Sequence, residues 1–287
     1  DTGRPIQITP RSEQLEVLMD TFFGLNGSEK EYSYVVRAIA SHIRDMPPYG
    51  QITALSYYDP ETQMFLMHTG RKDVLNVTKS SIIQVTNGYN GIIFPWNLSN
   101  SSISPNYESL DRSWDEELFE GCFDNLLDIT ANQAKAIIKV WFLTVLMREG
   151  LVSRPILACF GQPGAGKSML FRRIYTLMYG KERSLNAVTK EDDFDYAVVS
   201  DPLVVLDNVD TAHKWLPDKL AISAAPSEWT KRKLFTDTDT VTLRRQAMIA
   251  LTAHAPKFGR EDVTDRLLLL TFERLQYFQS ETHILDR

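Results

Sequence analysis

Eight consecutive residues, Gly161-Gln162-Pro163-Gly164-Ala165-Gly166-Lys167-Ser168, have the types and spacing of a G-x-x-x-x-G-K-S phosphate-binding loop. Glycines let backbone N–H groups turn inward around a phosphate, and a helix N-terminus behind them adds partial positive charge. In such a loop Lys167 reaches the β- and γ-phosphates of ATP, while the Ser168 hydroxyl binds Mg2+. Residues Gly161 to Ser168, with Met169 next to them, are therefore the expected nucleotide-binding set. A carboxylate should share the Mg2+, and Asp207 is the candidate because it ends the apolar run Leu203-Val204-Val205-Leu206. Asn208 follows it. An amide cannot accept a proton, so either Asp210 acts as the base or Asn208 only orients the attacking water.

Further residues fit the same chemistry. After a third apolar run, Gln246–Leu251, a polar side chain could contact the γ-phosphate, a role open to Thr252 or His254. Arg266 immediately precedes Leu267-Leu268-Leu269-Leu270, and Arg260 lies six positions earlier in the chain. A guanidinium supplied by a neighbouring subunit stabilises the charge that develops in phosphoryl transfer. Arg266 is the first candidate for that role and Arg260 the second; the alternative is pairing with Asp262 or Asp265 within one protomer. The acidic stretch Glu191–Asp195 reads as a solvated face and not as a metal site.

The elements that must hold these residues follow from the pattern around them. Pro155–Phe160 is a buried-strand run, the glycine-rich loop follows at once, and a helix continues from Met169. From Leu151 onward short apolar strands alternate with helices, which predicts an α/β fold with a mostly parallel central sheet. Ser113–Gly150 has helical apolar spacing, with Gly150 as its stop. Asn97–Tyr107, rich in Ser, Asn and Pro, reads as a linker. Before it, Ser12–Phe23 predicts a helix, Tyr32–Ile43 a helix or a strand, and Ile52–Tyr58, Met64–Thr69, Ser81–Val85 and Gly91–Phe94 predict strands. The expected division is a β-rich α+β module over 1–110, a helical collar or lid over 111–150, and a P-loop core over 151–287.

Bulk properties narrow the classes. The 287 residues are 43% hydrophobic and 24% charged, ordinary for a globular chain with a substantial core. A net charge of −6 excludes a wholly basic nucleic-acid coat but leaves room for a basic channel. The two cysteines, Cys122 and Cys159, form no C-x-x-C pair, and the five histidines are scattered, so zinc-site spacing is absent. Buried thiols in a reducing compartment are expected, which points to the cytoplasm and makes the sequons at Asn26, Asn76, Asn97 and Asn100 chance matches. No apolar run reaches the ~18 residues of a membrane span. The start, Asp1-Thr2-Gly3, has neither an initiator Met nor a signal peptide, as expected of a piece of a longer protein.

The order of the motifs resembles the AAA+ ATPases, and among them the superfamily 3 type helicases and the helicase-like ATPases of phage and mobile-element primase proteins. The residues carrying the resemblance are Gly161 to Ser168, Leu206-Asp207-Asn208, Arg232-Lys233-Leu234-Phe235-Thr236 and Arg260 to Leu267. It covers the chain from about residue 114. Most ring ATPases have Glu where Asn208 stands. The resemblance implies a hexameric ring that uses ATP and Mg2+ to move on single-stranded DNA, gripping it with a β-hairpin inserted before the third strand. The matching stretch has two β-prone arms, Lys233–Thr236 and Thr240–Leu243, around an Asp-Thr-Asp turn. Its cations, Lys231, Arg232, Lys233, Arg244 and Arg245, would either face phosphates or remain solvated. A second reading is an ATP-driven protein remodeller or defence-system switch, binding a protein through the N-terminal module. A third, a metabolic P-loop kinase, lacks an evident acceptor site.

Overall fold

Four short, almost wholly apolar runs build the sheet that carries the glycine-rich loop. They are β7 (Ile156–Gly161), β8 (Leu203–Leu206), β11 (Met248–Ala253) and β12 (Leu267–Phe272). All neighbours are parallel, in the order β12-β7-β11-β8. Strands this apolar need cover on both faces. Helices α3 (Ala131–Leu146) and α4 (Lys167–Tyr179) supply it on one side, with Trp141, Val145, Leu170 and Ile174 buried. Helices α5 (Glu191–Ser200) and α6 (Leu216–Ser223) supply it on the other, with Phe194, Val198, Leu216 and Leu220. Asn186 adds a single parallel bridge to Leu206 on the outer edge of β8, and Tyr175 donates to its side-chain oxygen at 3.1 Å. The fold is mixed α/β with a parallel sheet.

The computed structural model describes residues 6, 8–44, 46, 50–70, 73–95, 119, 121–181, 183–186, 188, 190–225, 227–232, 240–245 and 247–274, with backbone alone at 228–232 and 240–245. The expected linker at Asn97–Tyr107 lies outside them.

The N-terminal part has two helices, α1 (Glu13–Phe23) and α2 (Lys30–Arg44), so the ambiguous segment from Tyr32 is helical. Ser12 caps α1 by accepting from the Leu15 amide at 3.3 Å. Leu15 and Met19 pack on Tyr32 and Val36. An antiparallel meander follows, β2 (Ser56–Asp59), β3 (Met64–His68), β4 (Asp73–Val77) and β5 (Ile82–Thr86). A short parallel pair, β1 (Gln51–Ile52) with β6 (Ile92–Ile93), lies beside it. One expectation needs correction here, and one strand was not foreseen. Ile52–Tyr58 is not one strand, because Leu55 takes a left-handed φ of 67° and splits it. Strand β4 had no clear sequence signal, since Asp73 and Asn76 interrupt its apolar run.

The helical reading of 113–150 is corrected as well. Among the described residues only Ala131–Leu146 is α-helical there, followed by a 3-10 turn at Arg148–Gly150. Thr130 and Gln133 form a capping box that starts the helix. Upstream, Gly121 is left-handed at φ 70°, and residues 125–127 run along β12: Leu126 bridges Phe272, and the Leu127 amide donates to Thr271 at 3.0 Å. Glu191–Asp195 is also not simply a solvated face. Asp195 is buried and accepts from Lys219 at 2.7 Å, and Lys219 reaches Glu191 at 2.9 Å, tying α5 to α6.

A buried polar seam joins the meander to the parallel sheet. Arg148, 1% exposed, donates to Ser56 Oγ at 3.2 Å and to the Ala54 carbonyl, and lies 3.8 Å from Glu149. Thr53 donates to Glu149. Leu55 and Phe65 of the meander pack into the same core as Trp141 and Leu146. Burial pushes the Arg148 pKa down, and neighbouring Glu149 pulls it back.

Candidate functional site

The glycine-rich loop leaves β7 at its C-terminal end and enters α4 with no side-chain cap, so the first amides of α4 face the loop. Gly161, Gly164 and Gly166 have φ of 144°, 78° and 79°. At Gly161 the requirement is double, because a Cβ there would sit 2.2 Å from the Phe272 carbonyl oxygen of β12. Gly161→Ala is expected to cost about 2 kcal/mol or more, from left-handed strain plus the clash, and to appear as a lower thermal melting midpoint.

Three oxygens converge beside this loop. Ser168 Oγ and Thr252 Oγ1 each donate to Asp207 Oδ1 at 2.7 Å. Thr252 Oγ1 in turn accepts from the Asn208 amide at 2.7 Å, and the Val209 amide donates to the Thr252 carbonyl at 2.9 Å. The geometry follows from the strand order: β11 lies between β7 and β8, so the tip of each reaches the same place. Thr252 is the penultimate residue of β11, which runs two residues further than Gln246–Leu251. Asn208 has φ 50°, a left-handed turn that Asn tolerates better than branched residues.

Lys167 Nζ donates to the carbonyls of Gly161 at 2.7 Å and Gln162 at 2.9 Å. Burial lowers its pKa, while the Asp207 carboxylate pulls it up. The Cys159 thiol is itself pushed up by complete burial, so it stays protonated and unreactive. Gln162, Pro163, Gly164 and Gly166 are exposed, Ala165 is buried, and Met169 is half-buried in the first turn of α4.

The other expected residues separate into near and far groups. His254 is exposed, and its carbonyl accepts from the Gly161 amide at 3.2 Å. Asp210 is exposed and accepts from the Ala212 amide at 3.0 Å. Arg260 pairs with Asp262 at 2.6 Å and with Asp218. Arg266 donates to the Ala221 carbonyl of α6 at 2.9 Å. It precedes Leu267, which pairs with Ile156 at the start of β7, so it sits at the end of the sheet away from the loop. The six residues of β7 make that separation roughly 17 Å. Lys231, Arg232, Arg244 and Arg245 lie on the antiparallel pair β9 (Ser227–Arg232) and β10 (Thr240–Arg245), with Arg232 opposite Thr240. The expected first arm, Lys233–Thr236, lies outside the described residues, Lys233 among them.

One residue escaped the sequence reading. Asn125 donates from Nδ2 to the Ala165 carbonyl of the loop at 3.2 Å and also to the Glu273 carbonyl. It braces the loop against the end of β12. The turn-forming series Gly121, Asp124, Asn125 and Asp128 was its available signal.

Ser168 and Asp207 fit Mg2+, which takes oxygen ligands and keeps places for water and phosphate. Among the described residues no group of three or more His, Cys, Asp or Glu could cage a metal. No helix among them is long and apolar enough to cross a membrane.

A comparison with curated proteins finds no match. Among solved structures the chain is similar to "The A form apo structure of NrS-1 C terminal region-CTR", with 12% identity, TM-score 0.46, and coverage of 80% of this chain and 63% of that chain. It is also similar to a structure of "JCV Helicase" bound to a small molecule, with 13% identity, TM-score 0.38, and coverage of 58% of this chain and 47% of that one. The chain thus spans less than two thirds of each. The family model described as actinomycete integrative conjugative element replication protein matches residues 123–286, more than half of the sequence, and the chain belongs to that family.

Proposed function

We propose that this chain is an ATP-hydrolysing AAA+ motor of the superfamily 3 type, which forms a hexameric ring in the cytoplasm and moves single-stranded DNA during replication of a mobile element. The observation that carries this reading is the meeting of Ser168, Thr252 and Asp207 Oδ1 beside the glycine-rich loop. Replication-protein family membership supplies the biological setting. In this reading residues 1–110, 111–150 and 151–287 are an N-terminal module, a collar and the motor core.

The roles follow from the atoms present. Loop amides and the Lys167 ammonium hold the β- and γ-phosphates of ATP, Lys167 exchanging the Gly161 and Gln162 carbonyls for phosphate oxygens. Ser168 and Asp207 hold Mg2+, which when bound neutralises phosphate charge. Thr252 fixes the Asp207 carboxylate and, through the Asn208 amide, the turn carrying the residue that faces the attacking water. Asn208 orients that water, and Asp210 is the nearby carboxylate able to take its proton. Arg266 cannot reach its own loop from the far end of the sheet, so it serves a neighbouring subunit. The β9–β10 pair, inserted between β8 and β11 in sequence, offers its basic residues to the strand.

The test is the ATPase rate with and without single-stranded DNA, alongside the mass of the nucleotide-bound assembly. A several-fold rise with DNA in a ring-sized species is expected. A rate indifferent to DNA would move the reading to a protein remodeller, and no ATP binding at all would overturn it.

A further inference from the structure

A second site lies away from the glycine-rich loop, on one face of the N-terminal meander. A cleft of about 530 Å³ opens there between β2, β3 and β4 and the 3-10 turn Tyr89–Gly91. That volume is within the range of small-ligand sites.

Its floor contains an unmet demand. Asn76 in β4 is 7% exposed, and its side-chain oxygen is buried without a hydrogen-bond partner among the described residues. A buried amide oxygen left unpaired costs the full desolvation of that group, so this atom calls for a donor. Asn76 pairs across the sheet with Leu66, and Leu66 with Tyr57, which puts the three on one face. Tyr57 on β2 and Tyr89 on the turn line the same cleft and give it aromatic surface. Lys79 supplies its cation and has no acidic partner among the described residues. The acid at the rim, Asp59, is already engaged, accepting from Thr62 Oγ1 at 2.6 Å and from the Glu61 amide at 3.0 Å. Asn90, at φ 50°, donates to Met64 Sδ at 3.2 Å and so fixes the turn over the cleft.

We propose that this cleft binds one unpaired nucleotide, its base held by the tyrosines and donating an N–H to Asn76, its phosphate beside Lys79. Every nucleobase has an N–H donor on its pairing edge, and in a duplex that edge is occupied, so the site selects unpaired bases. A polypeptide strand would add along a sheet edge, where backbone groups are unpaired, whereas this cleft lies on the face. With one cation in the lining, salt dependence should correspond to about one phosphate contact, and most of the affinity comes from the base. The source is a DNA single strand or a free mononucleotide; only the preference for DNA rests on the replication reading above.

The test needs no ATP, so it stands or falls separately from the ATPase reading. Fluorescence anisotropy of a labelled single-stranded DNA oligomer is compared with that of the same backbone lacking bases at its central positions. The full chain is expected to bind the base-bearing oligomer roughly tenfold tighter, as one stacked base implies. Tyr89→Ala, at the exposed rim, and Asn76→Leu should each remove most of that difference, with thermal melting to confirm folding. Should Asn76→Leu not fold, Tyr89→Ala still decides. Displacement of the oligomer by dAMP, lost in the same variants, identifies the free mononucleotide as the source. Displacement by unlabelled oligomer alone identifies the strand. Equal binding of base-bearing and base-free oligomers overturns the proposal, as does a full base preference retained in the folded variants.

Discussion

Arg266→Ala is expected to leave ATP binding nearly unchanged while turnover falls by about 10³- to 10⁵-fold, the range of an arginine acting in trans. The geometry sets this expectation, since Arg266 lies at the start of β12, and β12 begins beside the start of β7 while the loop follows its end. No side-chain rotation covers that distance, so any phosphate it contacts belongs to another subunit. Mixing separates a trans role from a structural one. Rings assembled from Arg266→Ala and Lys167→Ala subunits contain interfaces in which an intact lysine faces an intact arginine, and part of the turnover should return. Two individually inactive preparations that stay inactive when co-assembled would refute the assignment. Thermal melting accounts for the lost hydrogen bond to Ala221.

Lys167→Ala should abolish measurable turnover, with a loss on the order of 10² or more even for a single preorganised donor of this kind. Nucleotide affinity should fall too, which distinguishes it from Arg266→Ala. The ammonium is half-buried and held by two loop carbonyls, so its removal also loosens the loop. Fluorescent nucleotide binding and phosphate release, measured in parallel, check both effects. Wild-type turnover in this variant would show that the triphosphate binds elsewhere.

The glycine-rich loop and its place between a strand and a helix were legible because they are local: eight contiguous residues leaving β7 and leading into α4. Leu203–Leu206 was equally legible, as a run with no polar interruption. The mobile-element replication setting, implied by the motif order, agrees with the family. What the sequence hid was set by partners distant in the chain. Asn125 acts on Ala165 and Glu273, contacts invisible to periodicity, and its segment looked helical because Phe123, Leu126 and Leu127 happen to be well spaced. Strand β4 owes its pairing to β3 and β5 on either side and not to an alternating pattern of its own. Between Thr252 and His254 the choice was open, since both follow an apolar run; only the register of β11 against β8 brings the threonine hydroxyl to Asp207.

The guanidinium sealed between the meander and the helical turn at Arg148–Gly150 has a mechanical consequence. Partial separation would strip it of Ser56 and Ala54 and leave a buried charge with only Glu149 and the Val145 carbonyl beside it, a loss of about 3–5 kcal/mol if no water replaces them. The junction therefore behaves as a latch with two settings, fully shut or fully wetted.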